Sequence, residues 1–496
     1  MAQDASTAPS APPAAAAIPD LKELACPQCQ GPLCALPSPP KSAKGSQSPA
    51  EPDAEAGSLQ CTACGAQYPA LDGMLWLLPE AQDEQARWRN RWHHAIRQLQ
   101  LRSTRAQAAA LTATTPATEQ RLQQLAAGCA GQQAAVTELL GCLDLGMAGS
   151  ASCYEALRTD LPQLQQLFSY EANLFRDWCW GGAENRASTA AVLDCLEDAQ
   201  VNVRETRKRD ARILVLGSGG ARLAYDLHRA LVPARTFALE RNPYLAYAGA
   251  HLCQRGDLNL WEFPLAPLSG AEVAVERTLH CPDPASAEGL VFLMADALAP
   301  PVPAGSIDLV VTPWFIDVCG IPPSRLARII NRVLKPGGLW LNHGSVAFQA
   351  EAPEAQLTAS ELHDEIESSG FSIRAQSEST MPYLCSPASR HGRRELVHTF
   401  CAARVADCAP ESMTEDSPSW LQQHHEPVPQ LPAFARQASD TAIHAFLMSL
   451  IDGQRSVAAM AEIMAARQML PAADARVALA GFLQKMYAEA NGDVSL

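Results

Sequence analysis

The stretch ILVLGSGGARLAYDL, residues 213–227, decides the fold. Ile213 to Leu216 is an apolar run rich in branched side chains, the pattern of a strand buried on both faces. Gly217, Gly219 and Gly220 break it, and Ala221 to Leu227 resumes with helical spacing. Glycines between strand and helix permit a tight turn that brings backbone N–H groups and a helix N-terminus against a ligand. Such a turn alone is weak evidence, because dinucleotide sites use it too.

The segments that follow, in order, narrow the choice. FALERN (237–242) reads as a second strand ending at Glu240, a carboxylate placed for two ribose hydroxyls. VFLMADAL (291–298) ends a third strand at Asp296, where a carboxylate can accept from an adenine amino group. IDLVVTPWFID (307–317) is the fourth strand, with a helix expected over 324–334 and KPGGLWLNHG (335–344) as a turn and fifth strand. Strands and helices alternating at these lengths predict an α/β doubly wound parallel sheet, with its ligand beyond the carboxyl ends of the strands. The first loop lacks the full G-x-G-x-x-G of a dinucleotide site, and KPGG has no place there.

With FRDWCWGGAEN (175–185) upstream, GSGGARLAYD, WFID and KPGGLWLN make the region 165–403 resemble the carnosine N-methyltransferases, a family of class I S-adenosylmethionine-dependent methyltransferases with a Rossmann-like sheet. The resemblance implies that Asn173 and Arg176 approach the amino-acid end of the methyl donor. Gly217, Gly219 and Pro313 would line its pocket, Glu240 would hold the ribose and Asp296 the adenine. Asp317 matches the aspartate that holds a substrate imidazole, with Tyr383, Gln349 and His343 as further substrate contacts. A neutral imidazole carries one N–H and one lone pair, so a carboxylate on the N–H aims the lone pair at the sulfonium methyl. The chain departs from the family in reading GSGGAR for GAGLGR, in having Gln349 where the family has histidine, and in a divergent SRHGRREL (389–396).

Two C-x-x-C knuckles, Cys26 with Cys29 and Cys61 with Cys64, have the spacing that converges four thiolates on one tetrahedral zinc. Four protein sulfurs leave no open position, so the metal is expected to be structural. Gly31 and Gly65 suit the turns after the knuckles, and the YPALDGMLWLLPE that follows resembles the tail of short zinc ribbons found on methyltransferases and their activator subunits. The remaining cysteines of the sixteen are dispersed, which in a long chain argues against a disulfide framework.

At 496 residues the chain exceeds one ordinary core. The expected organisation is a disordered Ala/Pro tail over 1–19, a zinc ribbon with a low-complexity insertion over 20–79, a helical cap over 80–205, the catalytic domain over 206–404, a linker over 405–433, and a small helical module over 434–496 resembling winged-helix or PqqD-like units. Trp88, Trp92, His93 and His94 read as one face of an amphipathic helix, and His424 and His425 as solvated linker residues. No apolar stretch reaches a membrane span and the N-terminus lacks a signal-peptide pattern, so a cytoplasmic protein with no membrane partner is expected.

The leading functional expectation is N-methylation of an imidazole or histidine-containing dipeptide. An rRNA or tRNA base methyltransferase is the second reading, supported by the ribbon and by TPWF (312–315), a near miss to a motif that grips exocyclic amines. A net charge of −15 opposes it, because phosphate binding calls for cationic surface. A non-catalytic binding protein is the third, and the presence of Glu240, Asp296 and Asp317 argues against it. The ribbon and the C-terminal module are candidate contacts for a protein partner.

Overall fold

The computed structural model describes residues 19–36, 57–143, 166–199, 210–348, 353–408 and 426–491. Gln349, His424, His425 and most of the expected tail, insertion and linker lie outside them. The chain forms two compact units, residues 1–410 and 411–496. The expected segments 20–79, 80–205 and 206–404 thus fall together in the first.

That unit begins with a small antiparallel sheet of β1 (Leu33–Ala35), β2 (Leu59–Cys61) and β3 (Gln67–Tyr68). A hairpin follows, β4 (Ala70–Leu71) and β5 (Met74–Leu77), then two long helices, α1 (Ala81–Leu111) and α2 (Pro116–Leu139). Next come α3 (Glu171–Phe175), which runs into a π turn over Arg176–Trp180, and α4 (Gly182–Asp198).

The alternating region supplies β6 (Arg212–Leu216), α5 (Arg222–Leu231), β7 (Arg235–Glu240), α6 (Pro243–Arg255), the hairpin β8 (Asp257–Glu262) and β9 (Val275–His280), β10 (Leu290–Ala295), β11 (Ile307–Pro313), α7 (Pro323–Val333), β12 (Leu334–Gly344), α8 (Ala359–Ser368), β13 (Phe371–Tyr383) and β14 (Arg393–Arg404). The main sheet runs β13-β14-β12-β11-β6-β7-β10-β5-β4. Its centre, from β12 to β10, is parallel, while β14 pairs antiparallel with both β12 and β13. The doubly wound sheet expected from the sequence is therefore present; the fourth strand, expected over 307–317, ends at Pro313.

Alternation along the strands explains why both faces are covered. In β6, Ile213 and Val215 face one core with Trp88, Trp178, Tyr225 and Tyr244, while Leu214 and Leu216 face another with the ribbon residues Leu24, Tyr68 and Leu77. The helical region packs on the first face, and α7, α8 and the ribbon on the second.

Two elements were not foreseen. The ribbon tail MLWL is strand β5 and pairs in parallel with β10, extending the central sheet at its edge. All four of its residues are buried, as a strand with both faces covered requires. The hairpin β8–β9 interrupts the regular alternation after α6. It packs on α2, where a side chain at Gly131 would collide with the Trp261 ring and one at Gly128 with Ala274.

The second unit is helical in its described residues: α9 (Pro432–Ser449), α10 (Val457–Ala466) and α11 (Ala472–Asn491). Leu447, Leu450, Met460, Met464 and Leu479 form its small core. At the expected Asp452-Gly453 turn, Asp452 Oδ1 accepts the N–H groups of Gln454 and Arg455 at 3.0 Å each, and Gly453 has φ +74°. No strand of a winged helix occurs among these described residues.

Candidate functional site

A cavity of about 360 Å³ opens at the carboxyl ends of the central strands. Asn173, Arg176, Gly217, Gly219, Glu240, Asp296, Pro313, His343 and Tyr383 all line it. The sequence placed these residues on seven separate segments, and the fold brings them to one cavity.

The glycine loop is built as a cradle. Gly217 has φ +64°, and a Cβ there would lie 2.4 Å from Phe315 Cδ2. Gly219 has φ +56° with nothing within 4 Å of a built Cβ, so its face is open. Its N–H donates to Glu240 Oε2 at 2.7 Å, while Glu240 Oε1 accepts from Arg241 and Asn242 N–H, both at 2.9 Å. Burial raises the Glu240 carboxyl above the usual range, and the three amide donors oppose that. Asp296 caps the turn after β10 through Leu298 N–H at 2.9 Å and lies 3.6 Å from Arg241 Nη1.

The π turn explains the upstream signature. Trp178 Nε1 donates to Gly220 O at 2.8 Å and Asn185 Nδ2 to Asp177 O at 2.8 Å, which fixes this segment over the glycine loop. Arg176 Nη2 pairs with Asp177 at 2.7 Å and its Nε lies 3.5 Å from Glu184. Arg176 Nη1 and Asn173 Oδ1 are buried without a hydrogen-bond partner. An unmade buried hydrogen bond is costly, so these atoms fit a ligand carrying both a carboxylate and an ammonium group. The amino-acid end of S-adenosylmethionine has both.

Opposite lies an aromatic wall. Trp314, at φ +51°, packs against Tyr383 with ring centroids 4.4 Å apart and the rings tilted by 38°. Gly344 makes this possible, since a Cβ there would come within 2.6 Å of the Trp314 backbone. The guanidinium of Arg176 lies 5.3 Å from the Tyr383 ring centroid. His343 is fully buried, with Nδ1 2.9 Å from Thr399 Oγ1 and Nε2 without a partner. Burial, aided by nearby Arg176, lowers its pKa to about 4, so the ring is neutral.

Asp317 is not among the residues lining the cavity. After Phe315 the chain presents Val318, Cys319 and Gly320 to it, whereas Asp317 Oδ2 accepts Ala347 N–H at 3.3 Å and the carboxylate also engages Ser345. Burial raises its pKa. It lies within electrostatic reach of Tyr170, which does line the cavity.

Sequence reasoning missed Trp88 and Arg91 of α1, which also line the cavity, and Arg241, which joins α1 to the site. Glu84 accepts Arg241 Nη2 at 2.6 Å and Arg87 Nη1 at 2.7 Å. Trp88 and Trp92 are buried as a helix face should be, but nothing in the helical period tells that Trp88 ends at a ligand cavity.

At the ribbon, the sulfurs of Cys26, Cys29, Cys61 and Cys64 all lie within 4.8 Å of one another. Cys26 and Cys64 are 3.6 Å apart and Cys29 and Cys61 3.5 Å, near the roughly 3.8 Å that four Zn–S bonds of about 2.3 Å impose in a tetrahedron. A Cβ on Gly31 would lie 3.2 Å from the sulfurs of Cys29 and Cys61, so glycine keeps the centre clear.

Residues 214–341 match a methyltransferase domain family. Residues 21–73 match the Trm112p-like protein family. The fold is that of an S-adenosylmethionine-dependent methyltransferase, joined to a ribbon whose four cysteines fit structural zinc. Among solved structures, a SAM-dependent methyltransferase of Methanosarcina mazei is similar at 15% identity and TM-score 0.28, over 41% of this chain and 97% of that one. The geranyl diphosphate C-methyltransferase of Streptomyces coelicolor is similar at 11% identity and TM-score 0.30, over 44% and 79% respectively. No curated protein sequence matches the chain. No helix among the described residues is long and apolar enough to cross a membrane.

Proposed function

We propose that this protein transfers the methyl group of S-adenosylmethionine to an imidazole nitrogen of a small molecule, a histidine-containing dipeptide such as carnosine. The observation that carries the reading is that one cavity joins a polar half, with Arg176, Asn173, Glu240 and Asp296, to an aromatic half, with Trp314, Tyr383 and neutral His343.

Arg176 and Asn173 would hold the donor's amino-acid end, Gly217, Gly219 and Pro313 its middle, Glu240 the ribose and Asp296 the adenine. The bound donor supplies an activated methyl on a sulfonium, which needs no metal to depart. The protein's task is alignment, for which effective molarities of about 10⁵ M or more are attainable. The Trp314 and Tyr383 rings offer apolar surface to an aromatic acceptor, and His343 Nε2 a free polar contact. Asp317 is assigned to the acceptor's N–H, where it would also stabilise the charge developing on the ring. That assignment, like that of Gln349, rests on the resemblance, since the carboxylate engages Ala347 and Ser345 beside the cavity. Gln349 is retained as a substrate contact on the resemblance alone.

A net charge of −15 favours a small acceptor over nucleic acid. A protein partner at the ribbon or at α9 belongs to the same proposal, supported at α9 by the exposed side chains of Phe434, Ile443 and Met448.

The test is Asp317→Asn in the full chain. Turnover with carnosine should fall at least about a hundredfold, close to 2.7 kcal/mol, while the donor dissociation constant stays within about twofold. Unchanged turnover removes Asp317 from the site.

A further inference from the structure

A buried tryptophan carries one polar group, the indole N–H, and it ordinarily finds an acceptor. Trp76 donates to Tyr247 Oη at 3.1 Å, Trp178 to Gly220 O at 2.8 Å and Trp340 to Thr312 Oγ1 at 3.0 Å. Trp88, Trp92 and Trp180 have a buried Nε1 without an acceptor, and of these three only Trp88 lines the methyl-donor cavity. Trp88 is 1% exposed. An unpaired buried N–H is costly, and the acceptor for this one has to come from whatever fills the cavity.

The surroundings of Trp88 tell which part of a ligand it meets. Glu84 stands one turn earlier on α1, so the two side chains share a helix face. Glu84 accepts Arg241 Nη2 at 2.6 Å, and Arg241 Nη1 lies 3.6 Å from Asp296. The indole therefore stands at the Asp296 end of the cavity. Arg91 places its guanidinium 4.3 Å from the Trp88 ring centroid, a cation–π contact that holds the ring in place. We propose that Trp88 Nε1 donates a hydrogen bond to the donor's adenine, at N1 or N7, the two ring nitrogens that flank the 6-amino group. The proposal rests on the placing of that amino group at Asp296.

An indole N–H can only donate, so it discriminates against a base that carries a proton or a carbon at the contacted position. The wrong base would leave a buried donor unpaired, which costs more than the bond itself contributes. Trp88 thus acts on selectivity for adenine as well as on affinity. It lies outside residues 214–341, the stretch that matches the methyltransferase domain, and on the helix that follows β5 of the ribbon tail. The segment between ribbon and catalytic sheet therefore supplies a donor contact of its own.

The experiment is calorimetric titration of the full, zinc-loaded chain and of Trp88→Phe with S-adenosylhomocysteine and with its 1-deaza, 3-deaza and 7-deaza analogues. Phenylalanine keeps an aromatic ring and removes the N–H. Trp88→Phe should weaken S-adenosylhomocysteine and the 3-deaza analogue about tenfold, while either the 1-deaza or the 7-deaza analogue binds variant and wild type alike, its acceptor being already gone. Unchanged affinity for S-adenosylhomocysteine in the variant overturns the proposal, and so does an equal loss for all three analogues, which marks a packing role. If the variant does not fold, the wild-type chain still decides: equal affinity for all four ligands overturns the proposal, and a loss of about tenfold confined to the 1-deaza or the 7-deaza analogue supports it. Asp296→Ala acts on the 6-amino group that all four ligands carry and should weaken them equally. Intact affinity in that variant removes the placing of the adenine on which the proposal rests.

Discussion

Trp76 of the ribbon tail and Met294 of the catalytic sheet are side-by-side partners in parallel strands. Two residues beyond Met294 stands Asp296, in the wall of the cavity. Trp76 is fully buried, and its Nε1 donates to Tyr247 Oη at 3.1 Å on α6. The segment that follows the four cysteines is therefore built into the edge of the sheet, beside the strand that leads to Asp296 in the cavity wall.

The first prediction concerns that link. A small ribbon depends on its metal for folding. Stripping zinc with a chelator, or Cys61→Ser, should lower the melting temperature and weaken donor binding at least tenfold. Trp76→Ala should cost about 3–5 kcal/mol of stability, as loss of a large buried side chain does. Calorimetric donor titration before and after zinc removal provides the check; unaltered affinity with emptied thiolates would disconnect ribbon and site.

A second prediction concerns Arg241. Its guanidinium is divided between Glu84, at 2.6 Å, and Asp296, at 3.6 Å. Glu84→Ala should let Arg241 close on Asp296 and compete with the adenine amino group. Donor affinity should then fall about tenfold, which is 1.4 kcal/mol, with little change in turnover at saturating donor. A fall in turnover alone would point instead to misplacement of the acceptor wall.

The third follows from His343. Its folded pKa of about 4 lies below the ordinary 6.5 of an unfolded histidine. Between those values the unfolded chain takes up a proton that the folded chain refuses, so stability is lost as pH falls from 6.5 toward 4 and is intact above 6.5. The loss attached to this one group is on the order of 3 kcal/mol at the acid end. In His343→Gln the decline across this interval should be shallower by that amount. Denaturant unfolding at a series of pH values measures it, and identical slopes would place the charge change elsewhere.

How much was legible beforehand differed between elements for physical reasons. β6, β7, β10, β11 and β12 each contain an apolar run with a residue that lines the cavity at or near its carboxyl end, so period and punctuation located the strands and the cavity side of the sheet. The knuckle cysteines were equally plain, because a metal site repeats its spacing. β5 was not, since MLWL reads the same whether it covers a ribbon or joins a distant strand, and only its partner β10 distinguishes the two. Trp88 fits a helix face whether or not a cavity lies beyond it. The fourth strand shows the limit most clearly. The sequence put Asp317 at its tip, but the left-handed turn at Trp314 sends the ring into the cavity and the carboxylate toward Ser345 and Ala347.

The most direct test is transfer of labelled methyl from S-adenosylmethionine to a panel of acceptors containing carnosine, free histidine, other imidazole compounds and bulk RNA, with the labelled product identified by mass spectrometry. The account predicts label on an imidazole nitrogen of a small molecule, in wild-type protein and not in Asp317→Ala. Label on RNA with none on any imidazole would contradict it.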